Sequence, residues 1–263
     1  MSKVAKVKFA DYQTSIGKAL DLIGAADRLP AGGLVIIKPN LTSADAPPVT
    51  TNVAAAGAVY KYCTAHCGAE VAIGEGCGDG TTERTFRANG YKKLAEKYSI
   101  RLIDLNREKA VLVRDKNALY WKEFHVPQIV RQAFVISLPV LKGHSFTRTT
   151  IAMKNMFGIA PAPHYGGSWN KSKLHSPSAH KSVVDVCLYK KPDLCVVDAA
   201  VAMRGSHLSG RRESMGLILA GFDPVAVDAV GSELLGHDPS GIEYLRLANG
   251  LLGSMDGIEI VED

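Results

Sequence analysis

At 263 residues the chain can form one large α/β domain or two small ones, and 46% apolar against 22% charged residues excludes a disordered polypeptide. Its 31 Lys and Arg are spread among 26 Asp and Glu, giving a net charge of +5. That dispersion argues against the clustered basic surface of a nucleic-acid binder and leaves a mild attraction for anions.

No apolar run approaches the roughly 18–20 residues of a membrane helix, so no membrane association is expected. The N-terminus, MSKVAKVKFADYQ, lacks the apolar core and cleavage site of a signal peptide and reads as a first strand. Five cysteines, odd in number and sparse, suit a reducing compartment and an expected cytoplasmic location. Cys63 and Cys67 form the only close pair. On a helix they would lie one turn apart, as small buried hydrophobes rather than cluster ligands.

Apolar periodicity alternates between strand and helix. Val4–Phe9 reads as a strand and Thr14–Ala26 as a helix, with Ile16, Ala19, Leu20 and Ile23 at helical spacing. Leu34–Lys38 is a short strand that Pro39-Asn40 ends sharply. Thr51 or Asn52 can cap an Ala-rich helix running to about His66. Glu70–Gly74 is a third strand, followed by a glycine-dense loop, a helix around Tyr91–Tyr98 and a strand at Arg101–Leu105. Residues 110–127 hold two apolar-rich runs flanking Asp115-Lys116-Asn117, which predicts a β-hairpin. A buried strand, Ala133–Leu138, stops at Pro139. Helix Ser178–Tyr189 and strands Leu194–Ala200 and Gly216–Ala220 come next. Helices Pro224–Leu235 and Ser240–Asn249 and a terminal strand, Ile258–Val261, complete the series. With no repeat or linker, the pattern predicts a single α/β domain over residues 1–263. Its sheet is mostly parallel and helix-flanked, with a small β-hairpin insertion.

In such a sheet the loops after strand carboxyl ends converge on one rim, where open α/β folds bind ligands. Lys38, Asn40 and Thr42 offer a cation, an amide and a hydroxyl, either to a ligand oxygen or to an Asx-type turn. In the glycine-dense loop, Gly76 and Gly78 would let backbone N–H groups approach a phosphate or carboxylate. Thr81 or Thr82 could bind there too or cap the next helix. The loop matches neither a Walker motif nor the dinucleotide fingerprint.

The segment LPVLKGHSFTRTTIAMKNMFGIAP is expected to deliver Lys142 and His144 into a loop, with Lys154 and Asn155 on an amphipathic segment beyond. A lysine pKa falls readily on desolvation, and an unperturbed histidine titrates near neutrality, so both types can clamp an anion or move a proton. The irregular stretch Ala160–Pro177 adds Lys171, Lys173 and His175. Asp198, late in its strand, either faces the same rim or bonds its own backbone, while Asp223 and Asp228 read as helix caps. A metal held by His144, His175 and Asp198 is the weaker alternative, and no metal site is expected.

At these residues the chain resembles the uncharacterised domain of unknown function 362 family, from Leu34 to the C-terminus. The motifs that carry the likeness are IIKPNLT, AIGEGCGDGTT, the LPVLKGHSFTRTTIAMKNMFGIAP segment with the later His175, CVVDAAVAMRG and LAGFDPVAVDAVGSELLG. The resemblance implies an α/β domain, often associated with iron–sulfur proteins because many relatives carry a ferredoxin-like module. It singles out Lys38, Asn40, Lys142, His144, Lys154, Asn155 and His175. Where relatives place Gly-Pro after the Asp-containing strand, this chain has Leu208-Ser209-Gly210. With no cluster-binding module before Asp263, any redox role would call for a separate partner.

The leading expectation is an enzyme acting on a small carboxylate- or phosphate-bearing molecule. Lys142, His144 and His175 would be catalytic. Lys38, Asn40, Thr42, Gly76, Gly78, Thr81, Thr82, Lys154, Asn155 and Asp198 would bind the ligand. The alternative is a non-catalytic module serving a separate ferredoxin-type protein. A homo-oligomer is compatible with either, and the sequence names neither a cofactor nor a reaction.

Overall fold

Aliphatic and β-branched runs bounded by Gly, Pro or Asn form the strands, and Ala-rich or amphipathic runs form the helices between them. A computed structural model describes residues 1–263. The first elements are β1 (Lys3–Lys8), α1 (Tyr12–Leu22), β2 (Leu34–Pro39), α2 (Val53–His66), β3 (Glu70–Glu75), α3 (Thr82–Ala88), α4 (Tyr91–Tyr98) and β4 (Leu102–Asp104). Next come β5 (Ala110–Arg114), β6 (Glu123–Pro127), α5 (Gln128–Gln132), β7 (Phe134–Leu138), β8 (Val140–His144), β9 (Arg148–Thr150), α6 (Ala152–Asn155) and α7 (Ala162–Tyr165). The last are α8 (Ala179–Tyr189), β10 (Leu194–Arg204), β11 (Arg211–Gly221), α9 (Pro224–Leu234), α10 (Glu243–Ala248) and β12 (Glu259–Glu262).

One sheet runs β12-β1-β11-β10-β7-β2-β3-β4, with β8 beside β10 and β9 beside β8, while β5 and β6 form the separate predicted hairpin. The run from β10 through β7, β2 and β3 to β4 is parallel, as is β1 with β12. Only β11 with its two neighbours and the β8–β9 pair are antiparallel. Alternating side chains face opposite layers. Val35 and Ile37 join a core with α1 and α2, and Ile36 joins one with α8 and α10. A third cluster packs α9 on β10 and β11. No helix is long and apolar enough to cross a membrane.

Three departures from the sequence reading shape the rim. The chain does not enter a loop after Pro139. Pairing with β2 ends at Leu138, but β8 resumes at once, parallel to β10 and antiparallel to β9. Lys142 and His144 are therefore strand residues, Lys142 held between Met203 and Thr150 and His144 beside Arg148, which their polar, hydroxyl-rich surroundings had disguised. The predicted strands Leu194–Ala200 and Gly216–Ala220 extend into an 11-residue pair, β10 and β11. The outer part of β11, Arg211–Ser214, is polar, so an apolar run alone does not mark it, whereas β10 continues through the apolar Val201–Met203; a cross-strand Arg204–Glu213 ion pair at 2.5 Å joins the two there. An additional helix, α3, precedes the one expected around Tyr91–Tyr98, and Thr81, one of the two expected caps, accepts from its Arg84 N–H at 3.3 Å.

Candidate functional site

Strands β2 and β3 are parallel neighbours, so Lys38 and Glu75 emerge side by side at their carboxyl ends. Both are buried, and Lys38 Nζ lies 2.9 Å from Glu75 Oε1. The carboxylate also accepts from the Leu41 and Gly76 N–H groups at 2.9 and 2.8 Å. Burial pushes the Lys38 pKa down, and the Glu75 charge opposes that shift. Asn155, from α6, ties the two neighbouring strand ends together. Its Oδ1 accepts from Lys38 Nζ and Asn40 Nδ2, both at 3.2 Å, and its Nδ2 donates to the Lys38 carbonyl and Ser137 Oγ, both at 3.0 Å. The carboxamide is saturated by protein, so Asn155 positions its neighbours rather than offering free donors.

Three further lysines are buried on the same wall. Lys142 Nζ donates to Asn40 Oδ1 at 2.7 Å and to the Val49 carbonyl at 2.8 Å. Lys171 Nζ donates to Asn106 Oδ1 at 2.5 Å and to the Ala160 carbonyl. Lys154 Nζ lies 3.4 Å from His175 Nε2 and 4.0 Å from the centre of the Phe157 ring. None of the three is paired with a carboxylate; the one buried carboxylate in the cleft, Glu75, is bonded to Lys38. Desolvation brings all three ammonium groups down to about 7.

Imidazoles complete the wall. His144 Nδ1 accepts from the Phe146 and Thr147 N–H groups at 3.0 and 3.4 Å, which leaves the proton on Nε2. Burial, then the Lys154 charge, pushes its pKa far below the usual histidine range, so the ring is neutral. His175 Nδ1 faces the Lys171 carbonyl at 3.0 Å and must donate there, turning the Nε2 lone pair toward Lys154. His207 stacks on His144 at 4.2 Å between ring centres. Burial and neighbouring lysines bring His175 and His207 down to about 4. His207 Nδ1 and Thr150 Oγ1 are buried without any hydrogen-bond partner.

These groups line a cleft of about 430 Å³. It gathers Lys38, Asn40, Thr42, Gly76, Gly78, Lys142, His144, Lys154, Asn155 and His175 from the sequence-derived set. Thr81, Thr82 and Asp198 lie outside it. Thr81 is a helix cap, and Thr82 Oγ1 donates to Asp104 Oδ1 at 2.7 Å. Asp198 sits within β10, accepting from Tyr12 Oη at 3.0 Å and from the Ala200 N–H at 3.1 Å, with burial raising its pKa to about 6.

In the glycine loop several backbone donors are already engaged. Its N–H groups at Gly76, Cys77 and Asp79 are taken by Glu75, Thr82 and the Thr42 carbonyl. Gly76 and Gly78 also permit close packing, and the Gly78 N–H has no hydrogen-bond partner within the protein. A Cβ at Gly76 would lie 2.5 Å from the Gly158 oxygen, and one at Gly78 would lie 2.9 Å from Thr42 Oγ1.

Sequence reasoning overlooked Glu75 and His207 as cleft residues and noted Lys171 without giving it a role. Glu75 carried a usable signal, an acid at the carboxyl end of the strand after that of Lys38. His207 lay in a loop with other polar residues and had no distinguishing pattern, and nothing in the sequence separated Lys171 from the neighbouring Lys173. The five thiols do not gather: no three His, Cys, Asp or Glu side chains converge as metal ligands, so the residues present do not fit an iron–sulfur cluster.

A thylakoid-associated protein of Synechocystis sp. is 24% identical over 226 residues, spanning 83% of this chain and 68% of its own length. The family model described as domain of unknown function (DUF362) matches residues 35–233, from β2, which carries Lys38, to the end of α9. The match covers well over half of the chain and takes in every lysine and imidazole of the cleft, so this protein belongs to the domain of unknown function (DUF362) family.

Proposed function

We propose that the cleft binds a small carboxylate- or phosphate-bearing molecule and moves a proton on it. The observation that carries this reading is the charge imbalance: three buried lysines without a carboxylate partner surround a Lys38–Glu75 pair that is already neutralised. A buried ammonium without a counter-charge is costly, so it either loses its proton or recruits an anion. A ligand carboxylate or phosphate supplies the missing charge and draws the lysines back to their protonated form.

Lys142 and Lys171 are each fixed by two acceptors and act as clamps. Lys154, facing only the lone pair of His175, is the proton carrier, since a pKa near 7 makes both of its states accessible at neutral pH. His144 stays neutral and offers its Nε2–H to developing negative charge, a role different from the proton shuttle expected of it. The alternative of a non-catalytic module serving a ferredoxin-type partner makes the opposite prediction, an empty cleft.

Calorimetry with sulfate and acetate, whose own charges are constant from pH 6 to 8.5, separates the two. The lysines are protonated below about 7, so affinity should fall about tenfold or more across that range. Protons should be taken up on binding at the higher pH, and Lys154→Met should weaken both anions. No heat, or a pH-independent affinity, would overturn the anion reading.

A further inference from the structure

The mouth of the cleft differs from its floor. Nine large apolar side chains in the chain are exposed, and three of them, Phe146 (62%), Trp169 (44%) and Leu208 (47%), line this one opening. Scattered exposed hydrophobes need no explanation, but a cluster of three at a polar pocket does. They come from separate loops: the β8–β9 turn, the segment between α7 and His175, and the tip of the β10–β11 hairpin.

Each loop also carries a polar group of the wall. Phe146 follows His144 by two positions, Trp169 precedes Lys171 by two, and Leu208 follows His207 directly. Three independent turns thus present one apolar residue at the rim and one basic or imidazole group below it. The rings are also in register with the imidazoles. Phe146 and Trp169 lie 5.9 and 5.8 Å from His175, in edge-on contact, and His144 stacks on His207. Aromatic rings therefore adjoin the imidazoles of the cleft wall.

A volume of about 430 Å³ lies within the usual range of about 300–1,000 Å³ for sites that enclose a whole small molecule. A bare inorganic anion would fill a small part of it and leave the apolar rim in water.

We infer that the ligand is an amphipathic acid, with its carboxylate or phosphate on Lys142, Lys154 and Lys171 and a flat apolar body between Phe146, Trp169 and Leu208. This rests on the anion reading of the floor and adds the chemistry of the rest of the molecule. Apolar contact at the rim would supply affinity that charge alone, screened at an open mouth, does not.

Calorimetry on the full chain with acetate, phenylacetate and the neutral phenylacetamide tests it. Phenylacetate should bind at least about tenfold more tightly than acetate, and phenylacetamide should show no measurable binding. In Phe146→Ala/Trp169→Ala, checked for a native circular-dichroism spectrum, the ratio of phenylacetate to acetate affinity should collapse to below about twofold. Equal affinity for the two acids, or an undiminished ratio in the double variant, would overturn the amphipathic ligand while leaving the anion site intact. Binding of phenylacetamide as tightly as phenylacetate, or of neither acid, would overturn both.

Discussion

Lys38 and Glu75 are buried in direct contact at 2.9 Å, and neither makes a second ion pair within 4 Å. Removing one leaves the other buried and unpaired, which typically costs about 3–5 kcal/mol, whereas replacing both with neutral groups of similar size costs far less. Lys38→Met and Glu75→Gln should therefore each lower stability by about that amount in urea unfolding, and the double variant should lose less than the sum. Strict additivity would mean that the pair is not coupled. Gly158 adjoins this pair so closely that a Cβ there would strike both Glu75 Oε1 and Lys38 Nζ. The glycine is thus a steric requirement of the ion pair.

Helix α6 shows how an element too short to persist alone is held in place. It spans Ala152–Asn155, and its own preceding residue gives no side-chain cap. The cap comes from α9: Asp228 Oδ1 accepts from the Ala152 N–H at 2.7 Å, and Tyr244 Oη donates to Oδ2 at 3.0 Å. Burial raises the Asp228 pKa to about 7. The sequence reading of Asp223 and Asp228 as caps holds in kind, but only Asp223 caps its own helix, accepting from Val225 and Ala226. Asp228→Asn should cost about 2–3 kcal/mol by leaving α6 donors poorly satisfied. Because α6 carries Lys154 and Asn155, the same variant should weaken sulfate binding. Calorimetry and thermal unfolding read the two effects, and unchanged sulfate affinity would show that α6 keeps its place without the cap.

At the scale of the whole molecule, the buried lysines make stability depend on pH in an unusual direction. Each has a folded pKa near 7 against an ordinary value of 10.5, so between these values the unfolded chain binds more protons and stability rises with pH. Asp228 and Asp198 have raised pKa values of about 7 and 6, so their effect is opposite in sign but confined to lower pH. Without an added anion, Tm should therefore increase from pH 7 to 8.5; the buried thiols, whose pKa values burial raises, oppose this only toward the upper end, where those of the unfolded chain begin to ionise. Sulfate should raise Tm more at pH 7 than at pH 8.5, where fewer lysines are charged. A Tm that falls over this interval would mean that the three ammonium groups are not desolvated in the folded chain.

Apolar periodicity by itself determined the α/β class, the order of most strands and helices and the inserted hairpin, because a strand or helix must bury a face and that need is written locally. It also drew attention to Lys38, Asn40, Lys142, His144, Lys154 and His175, since strand ends in a parallel sheet share one rim. What a residue does at that rim was not local information. Asn155 is saturated by two strand ends, Asp198 bonds Tyr12 from α1, and the threonines after the glycine loop turn to a helix terminus and to Asp104. Only the packed structure decided which lysines found a carboxylate and which did not. A side chain's charge state depends on the water removed and the partners supplied by segments distant in sequence, and neither is encoded in its immediate neighbours.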